Sequence, residues 1–250
     1  MIKVILNGCS GRMGSVLTEA ITKESTLKIV GGVDIVPSKR EYPVFSSLDE
    51  CDVSADVLID FSSFASLENY LPVAIKRNLP IVVATTGFGQ RELKMLKEAA
   101  KSIAVFHSGN MSLGINLMQN LVKEVTKVLG SSFDIEIIEK HHNKKIDAPS
   151  GTALMLANSA NDALEGRANF IYGREGTDAL RKKDEIAIHA VRGGTIVGEH
   201  EVIFAGEDEV LSIKHAAFSR NVFAQGAIRA ALFMAKQQKG FYTMSEVLKA

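Results

Sequence analysis

Short runs rich in Val and Ile alternate with amphipathic segments through the first 107 residues of the chain. The runs match buried strands, and the segments between them repeat apolar positions at helical spacing. Strands of this kind separated by helices indicate a parallel sheet covered on both faces, the doubly wound α/β architecture. The predicted strands are Lys3–Asn7, Lys28–Val33, Asp56–Phe61, Pro80–Thr85 and Ile103–His107. The predicted helices are Arg12–Lys23, Leu67–Arg77 and Arg91–Lys101, with Pro72 expected to kink the second helix or to mark its start.

The pattern changes after Asn110. The long amphipathic segment Ser112–Gly130 and the segment Ser150–Leu164 are predicted helices, and the charged segment Gly166–Asp184 is predicted to be an exposed loop. Short glycine-containing turns separate the last three predicted strands, which favours a meandering, mostly antiparallel or mixed sheet. The strands predicted in this part are Phe133–Lys140, Glu185–Val191, Thr195–Ala205 and Glu209–His215.

Two domains are therefore expected. The first comprises residues 1–109 and 219–250, and the closing helix Asn221–Lys236 is expected to return to it. The second, residues 110–218, is expected to be an α+β domain with an open mixed sheet.

Composition narrows the possible functions. The 250 residues include 46% hydrophobic and 23% charged side chains, and the formal net charge is zero. This balance excludes a disordered chain and lacks the basic excess of a general nucleic-acid binder. Cys9 and Cys51 are too few for a disulfide framework or a thiolate zinc site. Without a signal-peptide pattern or a membrane-spanning apolar stretch, we expect a cytoplasmic protein with no membrane partner.

A glycine-rich turn, Gly8-Cys9-Ser10-Gly11-Arg12-Met13-Gly14, follows the first predicted strand and opens a helix. Such a turn brings backbone N–H groups close to a diphosphate at a helix N-terminus. Asp34, at the end of the second strand, is placed where the ribose hydroxyls of the adenosine would bind. Together these features predict a Rossmann-like dinucleotide site. The alternative is a turn that only packs the helix on the sheet.

Asp34 favours NAD over NADP, because its carboxylate accepts hydrogen bonds from both ribose hydroxyls and repels a 2′-phosphate. Ile35 cannot supply the compensating cation. Lys39 and Arg40 are close in sequence and are either that cation or part of a solvated loop, whereas Arg12 is well placed to meet phosphate charge. The sequence therefore favours NADH and leaves NADPH open.

Two later loops follow the carboxyl ends of predicted parallel strands, the edge at which open α/β sheets bind ligands. They are Ala84-Thr85-Thr86-Gly87-Phe88 and Ser108-Gly109-Asn110-Met111-Ser112. Both are candidates for contacting the nicotinamide half of the cofactor. Each also reads as an ordinary turn followed by a helix cap.

The segment from Glu139 to Ala153, EKHHNKKIDAPSGTA, is rich in groups that can transfer protons. Adjacent residues on a strand point to opposite faces, so His141 and His142 would not chelate one metal ion. A solvated basic turn is the stronger alternative, because lysine runs usually have that role. No metal site is therefore expected.

The same segment ends in a helix start, because Asp147-Ala-Pro-Ser150-Gly151-Thr152 is a capping sequence that presents free N–H groups. Histidine, lysine and an open helix N-terminus together form a receptor for a small carboxylate-bearing molecule. The histidine and lysine can also protonate an anion that develops during reduction. A nicotinamide site in one domain and a carboxylate site in the other indicate hydride delivery across the cleft between them.

The chain resembles the dihydrodipicolinate reductase family, also called 4-hydroxy-tetrahydrodipicolinate reductases, over its whole length. The resemblance is carried by the closing helix and by the motifs GCSGRMG, ATTGF, SGNMSLGIN, EKHHNKKIDAPSGTA, VRGGTIVGEHEVIFAG and HAAFSR. It implies a nicotinamide-dependent reduction of an unsaturated, six-membered, nitrogen-containing dicarboxylate to tetrahydrodipicolinate, in the diaminopimelate route of lysine biosynthesis. It also implies a homotetramer built through the sheets of the second domain, and a hinge that closes the two domains over the substrate.

The resemblance also implies roles for individual residues. His141 is the implied proton donor or acceptor and Lys145 the implied catalytic proton donor, and which of the two delivers the proton stays open. The implied contacts to the substrate carboxylates are His142, Gly151 and Thr152. The implied cofactor contacts are Gly8, Cys9, Ser10, Gly11, Arg12, Met13, Asp34, Ala84, Thr85, Thr86, Gly109, Asn110, Met111 and Ser112.

Three departures from the family pattern stand out. Ile35 replaces an Arg that many relatives carry after the ribose-binding acid, which weakens the expectation of NADPH use. Ala84 replaces a Gly of some members, and Ser108-Gly109 replaces an Ala or Pro of others. The catalytic positions are intact.

Other functions are compatible with the glycine turn alone. A two-domain dehydrogenase with a different substrate would not need the HHxxK string beside an SGTA helix start. A non-catalytic NAD-dependent sensor would need no proton donors, and a DNA-binding version would carry a helix-turn-helix and a basic face. An organic-acid-binding module would leave the dinucleotide fingerprint unexplained.

Overall fold

The structure is a computed structural model that describes residues 1–36, 38–130 and 132–250. The chain forms two compact units. Unit 1 comprises residues 1–113 and 220–250, and unit 2 comprises residues 114–219. The boundaries expected from the sequence, after residues 109 and 218, lie within a few residues of these.

The chain contains twelve strands and seven α-helices among the described residues. The strands are β1 (Ile2–Asn7), β2 (Leu27–Val33), β3 (Val44–Phe45), β4 (Val57–Asp60), β5 (Ile81–Val83), β6 (Ala104–His107), β7 (Asp134–His141), β8 (Asn169–Tyr172), β9 (Glu185–Arg192), β10 (Gly198–Ala205), β11 (Val210–Ala217) and β12 (Gly240–Tyr242). The helices are α1 (Arg12–Thr22), α2 (Leu67–Lys76), α3 (Gln90–Ala99), α4 (Leu113–Leu129), α5 (Gly151–Ala163), α6 (Asn221–Met234) and α7 (Met244–Lys249). A short 3₁₀ turn, Phe64–Ser66, precedes α2.

Unit 1 contains a seven-stranded, all-parallel sheet in the order β12-β6-β5-β4-β1-β2-β3. Successive side chains of a strand point to opposite faces, so Val4 and Leu6 join one core layer and Ile5 joins the other. Helices α1, α6 and α7 contribute to the first layer, and α2 and α3 to the second. The predicted doubly wound, Rossmann-like fold is confirmed.

Three short elements of unit 1, β3, β12 and α7, were not predicted from the sequence. Strands β3 and β12 have two and three residues and lie at the two edges of the sheet, so they are too short to show a periodic pattern. Helix α7 begins with a capping box, in which Glu246 accepts a hydrogen bond from the Thr243 N–H at 2.7 Å. That Thr-x-x-Glu signal is visible in the sequence. Pro72 lies inside α2 and does not mark its start.

Unit 2 contains a five-stranded mixed sheet in the order β11-β10-β7-β9-β8. Strand β10 runs antiparallel to β7 and β11, whereas β9 runs parallel to β7 and β8. Apolar residues of β7, β9 and β10 alternate along each strand and pack against α4 and α5 on one face. The predicted second α+β domain with an open mixed sheet is confirmed as a fold.

Two predictions for unit 2 were wrong in detail. The segment Gly166–Asp184 is not entirely loop, because Asn169–Tyr172 forms β8, an edge strand beside β9. Charged residues surround the short apolar run of β8, so the sequence of the whole segment did not indicate a strand. The last three strands do not form a simple meander either, because β7 lies between β9 and β10 and only β10 and β11 form a hairpin. Strand order depends on long-range pairing, which local turn signals do not report.

Helix α6 returns to unit 1 and packs against the loop that precedes α4. Its buried positions are mostly small, and Gly226 meets the backbone carbonyl of Met111 so closely that a Cβ at residue 226 would overlap the oxygen. The atoms that would clash belong to the backbone of α6 and of Met111, so neither can move away by rotating a side chain. Among the described helices, none has the length and hydropathy needed to cross a membrane.

We predict that Gly226→Ala lowers the free energy of unfolding by about 1–3 kcal/mol, because the added methyl group overpacks α6 against the Met111 carbonyl. Gln225→Ala, at the exposed neighbouring position of α6, is the matched control and should stay within about 0.5 kcal/mol of the parent chain. Urea unfolding followed by circular dichroism measures both. An equal effect of the two substitutions would contradict the assigned packing.

Candidate active site

The glycine-rich turn lies at the carboxyl edge of the unit 1 sheet, between β1 and α1. Gly8 has a φ of +80°, and a Cβ there would lie 2.6 Å from the carbonyl oxygen of Phe61, directly after β4. The Gly8 N–H donates to the Val33 carbonyl at 2.8 Å. The turn is therefore fixed against the ends of both neighbouring strands, with Gly11 at the N-cap of α1. No side chain caps this helix, so its first N–H groups are available to an anion.

Asp34 lies beside this turn, at the end of β2. Its carboxylate accepts hydrogen bonds from the N–H groups of Ser10 at 2.8 Å and of Val36 at 2.9 Å. A carboxylate has about four acceptor positions, so further capacity remains for the two hydroxyls of a ribose. The structure thus brings together the predicted glycine turn and the predicted ribose-binding acid.

Arg40 also binds the turn. Its Nη2 donates to the Cys9 carbonyl at 2.7 Å and to the Ser15 hydroxyl at 2.9 Å. The Cys9 carbonyl and the Ser10 N–H belong to one trans peptide group and point in opposite directions. Arg40 and Asp34 therefore bind opposite ends of the same peptide group. Arg40 is therefore bound to the turn and is not simply a solvated loop residue.

The remaining predicted residues of the turn differ in what they expose. The Cys9 side chain is fully buried, and burial raises the pKa of its thiol. Only its backbone can therefore face a ligand. Arg12 is exposed and Met13 half-buried in the first turn of α1.

The loop after β5 is tied to a buried carboxylate, Asp60, at the last position of β4. Thr85 donates its hydroxyl to Asp60 Oδ2 at 2.7 Å, and the Asn7 amide donates to Oδ1 at 2.8 Å. Tyr70 donates to Oδ2 at 3.1 Å. Burial raises the pKa of Asp60, against the effect of these hydrogen bonds. Asp60 therefore fixes the ends of β1, β4 and β5, and only its position at the end of an apolar strand could have indicated this.

The loop after β6 forms two local turns at the same edge of the sheet. The Ser108 hydroxyl donates to the Asn110 carbonyl at 2.7 Å, and the Asn110 side chain accepts from the Ser112 N–H at 2.8 Å. Met111 is buried, and Gly109 is open on the side where a Cβ would be. Because all strands of this sheet are parallel, this loop, Ala84 to Thr86, Asp34 and the glycine turn lie at one edge.

In unit 2, a fully buried carboxylate, Glu139, lies at the centre of the candidate catalytic residues. Glu139 and His141 are two residues apart on β7, so their side chains point to the same face of the sheet, the one that packs against α5. Glu139 Oε2 accepts from His141 Nδ1 at 2.6 Å and from Arg192 Nη1 at 2.7 Å. Its Oε1 accepts from Arg192 Nη2 at 2.7 Å and from the Ser150 N–H at 2.9 Å. We call Glu139, His141, Ser150, Arg192 and His200 the Glu139 cluster.

His200 joins this cluster from β10. Its Nε2 lies 3.0 Å from the Ser150 hydroxyl, and its ring meets that of His141 edge-on at a centroid distance of 5.1 Å. Its Nδ1 is buried and has no hydrogen-bond partner among the residues that the structure describes. Burial, reinforced by the positive potential of neighbouring residues, lowers the pKa of His200 to about 3, so the ring is neutral at physiological pH.

The protonation of His141 and Glu139 follows from their contacts. Burial lowers the pKa of His141, and the Glu139 carboxylate offsets this effect only in part. Burial acts to raise the pKa of Glu139, but hydrogen bonds from Arg192, His141 and the Ser150 N–H hold it below its ordinary value. At neutral pH the pair is therefore a neutral imidazole, donating from Nδ1, and a charged carboxylate.

Lys145 lies in the loop between β7 and α5. Its Nζ binds both carboxylate oxygens of Asp147, at 2.8 and 3.0 Å. The backbone of Gly151, at the start of α5, also lowers the pKa of that carboxylate. Burial acts to raise the pKa of Asp147, but these hydrogen bonds hold it below its ordinary value. The predicted proton donor Lys145 and the predicted substrate contact Gly151 therefore lie beside one carboxylate.

The other two predicted substrate contacts lie close by in sequence. His142 follows the end of β7, is half-buried, and accepts a backbone hydrogen bond from the Lys145 N–H at 3.1 Å. Thr152 occupies the first turn of α5, which Ser150 caps by accepting from the Ala153 N–H. No group of three His, Cys, Asp or Glu side chains suited to a metal ion occurs within the described part of the chain.

Glu139, Arg192 and His200 were not predicted to act at the site, and Ser150 was predicted only as part of the helix cap. Glu139 belongs to the EKHHNKKIDAPSGTA motif. Its spacing of two residues from His141 on a predicted strand could have indicated that the two side chains share a face. Arg192 and His200 come from β9 and β10, 51 and 59 residues after His141 in the sequence. Their positions depend on the strand order, which no local signal provides.

Comparisons with known proteins agree with this arrangement. The family model of dihydrodipicolinate reductase, N-terminus, matches residues 2–111, and the model of its C-terminus matches residues 114–248. Proteins named 4-hydroxy-tetrahydrodipicolinate reductase from Clostridium novyi (strain NT) and Caldanaerobacter subterraneus subsp. tengcongensis are 49% and 51% identical to this chain. Each alignment covers 100% of this chain and 99% of the relative.

The fold is similar to that of a dipicolinate-bound dihydrodipicolinate reductase from Paenisporosarcina sp. TG-14, with a TM-score of 0.80 and 23% identity over 97% of each chain. At this identity the likeness concerns the fold. The family models cover nearly the whole sequence, and both full-length relatives are about half identical to it. The chain belongs to the dihydrodipicolinate reductase family of nicotinamide-dependent oxidoreductases.

Proposed function

We propose that this chain reduces 4-hydroxy-tetrahydrodipicolinate to tetrahydrodipicolinate in the diaminopimelate route of lysine biosynthesis, with NADH preferred over NADPH. The relatives that carry the name of this activity align with the chain from end to end. The observation that supports the substrate is the carboxylate of Asp147, which pairs with Lys145 Nζ and whose pKa is lowered by the backbone at the start of α5. The enzyme is expected to be cytoplasmic.

Unit 1 has the features that a dinucleotide requires. The uncapped start of α1 offers N–H groups to the diphosphate, and the Asp34 carboxylate retains acceptor positions for the ribose. We assign the cofactor contacts to the glycine turn, to Asp34 and to the loops after β5 and β6. When bound, the nicotinamide ring supplies the hydride.

The preference for NADH rests on three residues. The Asp34 carboxylate would repel a 2′-phosphate, and Ile35 beside it is 89% exposed and uncharged. Arg40 binds the opposite end of the Cys9–Ser10 peptide group, so its cation does not pair with Asp34. Neither Ile35 nor Arg40 would therefore supply the cation that NADP-binding sites provide beside the 2′-phosphate.

The substrate carboxylates are assigned to the loop between β7 and α5 and to the start of α5. Lys145, His142, Gly151 and Thr152 supply a cation, an imidazole and backbone N–H groups for them. A substrate carboxylate bound by Lys145 and Gly151 replaces that of Asp147. The positive end of the α5 dipole adds to its stabilisation.

Tetrahydrodipicolinate differs from dihydrodipicolinate, the dehydrated form of the substrate, by one hydride and one proton. The Lys145 ammonium holds a proton that it can donate. His141 is neutral and donates from Nδ1 to Glu139, so its Nε2 carries a lone pair. We therefore assign proton donation to Lys145 and hydrogen-bond acceptance to His141.

A homotetramer through the unit 2 sheet is also part of the proposal. Helices α4 and α5 pack on one face of this sheet. The opposite face carries Ile138 and Ile203, together with Glu136, which is bound by Arg174 and Arg181. No helix of unit 2 packs over this second face within the described ranges. A second copy of the sheet is the partner proposed to cover it.

We predict that Lys145→Ala lowers kcat by about 10²–10³-fold, because a positioned donor to the developing anion is lost. The dissociation constant for NADH should not change. Turnover is measured as NADH oxidation, with substrate produced in the cuvette by a dihydrodipicolinate synthase. Lys144→Ala removes an exposed neighbouring lysine and serves as the matched control. Turnover of Lys145→Ala within threefold of the parent enzyme would show that Lys145 has no essential role.

We predict that Asp34→Ser lowers the ratio of kcat/KM for NADH to kcat/KM for NADPH by at least about tenfold. The substitution removes a charged acceptor for the ribose, worth about 1.5–3 kcal/mol, and the repulsion of a 2′-phosphate. Asp49→Ser, at an exposed acid of the same unit, is the control and should leave the ratio unchanged. A constant ratio in Asp34→Ser would refute the assigned ribose contact.

A further inference from the structure

Glu139 is the only member of the Glu139 cluster that contacts three of the others directly. Its two oxygens accept four hydrogen bonds, two each, so the acceptor capacity of the carboxylate is filled. Its side chain is fully buried and touches no solvent. It therefore cannot act on a ligand itself, and any role in the reaction must operate through its partners.

We propose that Glu139 is the positioning residue of this active site: its carboxylate fixes the tautomer and orientation of His141 and, through the Ser150 N–H, the start of α5. The inference rests on the proposed function and deepens it, because one group links His141, the assigned hydrogen-bond acceptor, to the start of α5, the assigned carboxylate-binding helix. Neither the family resemblance nor the assigned substrate contacts give Glu139 this role.

The effect on His141 follows from the hydrogen bond at Nδ1. A neutral imidazole carries one proton, and the nitrogen that donates determines which nitrogen accepts. Glu139 is ionised and can only accept, so His141 must place its proton on Nδ1. Nε2 is then left as an acceptor. With the other tautomer, Nε2 would carry a hydrogen and two acceptors would face each other at 2.6 Å.

The effect on α5 follows from the bond to Ser150. Ser150 is the N-cap residue, and its side chain holds the Ala153 N–H while its own N–H donates to Glu139. The helix start is thus anchored from inside unit 2, directly before Gly151 and Thr152. A shift at Ser150 would move the N–H groups assigned to the substrate carboxylates.

Arg192 makes the arrangement possible. A buried carboxylate without a cation would be protonated or expelled, and Arg192 pairs with both of its oxygens. The same Nη2 donates to the Asp147 carbonyl at 2.7 Å. Glu139 is therefore connected, through Arg192, to the loop that carries Lys145.

The charged and titratable groups around His141 come from four places. Glu139 lies on its own strand, Lys145 and Asp147 lie in the loop that follows, Arg192 lies on β9, and His200 lies on β10. His215 on β11 acts on His200. Among them only Glu139 hydrogen-bonds the His141 ring, so its replacement is the direct test.

The first test is the tautomer of the parent enzyme, which requires no variant. A ¹H–¹⁵N long-range correlation spectrum of the ¹⁵N-histidine-labelled full chain assigns the protonated nitrogen of each ring, with His141→Gln used to identify the signals of His141. We expect Nδ1–H. A predominant Nε2–H form of His141 at neutral pH would overturn the proposal, whether or not the enzyme reduces the proposed substrate.

The second test is Glu139→Gln, which keeps the shape of the side chain and removes its charge. We expect kcat/KM for the dicarboxylate to fall by about 10–100-fold, with an unchanged dissociation constant for NADH. The carboxylate raises the pKa of His141, so its removal lowers that pKa. The acid limb of the kcat/KM profile and the NMR titration of His141 should therefore both move to lower pH.

Glu136→Gln is the matched control. Glu136 lies on the opposite face of β7 and binds a histidine and arginines in the same way, with His189 at 2.7 Å and Arg174 at 3.1 Å. Its substitution should leave the His141 titration unchanged, whatever it does to thermal stability or assembly. Equal titrations of His141 in Glu139→Gln and in the parent enzyme, or kcat/KM within threefold of the parent, would refute the positioning role.

Discussion

A charge placed in an apolar interior has to be compensated, and the organisation of unit 2 around Glu139 follows from that constraint. Arg192 pairs with both oxygens, and His141 and the Ser150 N–H occupy the remaining acceptor positions. These partners come from β7, β9 and the start of α5. Satisfying one carboxylate thereby fixes the relative positions of His141 and the start of α5.

Unit 1 also contains a buried carboxylate, but its hydrogen-bond partners are of a different kind. Asp60 is also a fully buried carboxylate, but the side chains that bind it are the neutral Asn7, Ser62, Tyr70 and Thr85. Without a cation its pKa is raised, whereas that of Glu139 is lowered. Asp60 therefore joins strand ends and a loop at the carboxyl edge of the sheet, whereas Glu139 is paired with a cation and orients a histidine.

Local patterns were sufficient for the parts of the structure that depend on local interactions. The parallel strands of unit 1, the glycine turn and the acid at the end of β2 follow from periodicity and spacing, and in the structure Asp34 accepts a hydrogen bond from the Ser10 N–H of that turn. The basic loop and the start of α5 were likewise visible as a motif. Strands β3, β8 and β12 were missed because two to four residues at a sheet edge show no reliable period.

The contacts within the candidate site could be predicted from the sequence only in part. Arg192 and His200 reach Glu139 only because β7 lies between β9 and β10, an order that contradicts the expected meander. Arg40 reaches the glycine turn from a loop whose conformation has no sequence signature. Residue types and spacing indicated candidate residues, and long-range strand pairing determined which other side chains contact them.

The most direct measurement is the oxidation of NADH and, separately, of NADPH by the parent enzyme, with dihydrodipicolinate produced in the cuvette from pyruvate and aspartate semialdehyde by the synthase. The account predicts a loss of absorbance that depends on the synthase and is faster with NADH. Folded enzyme that binds both cofactors and oxidises neither in the presence of the synthase would contradict it.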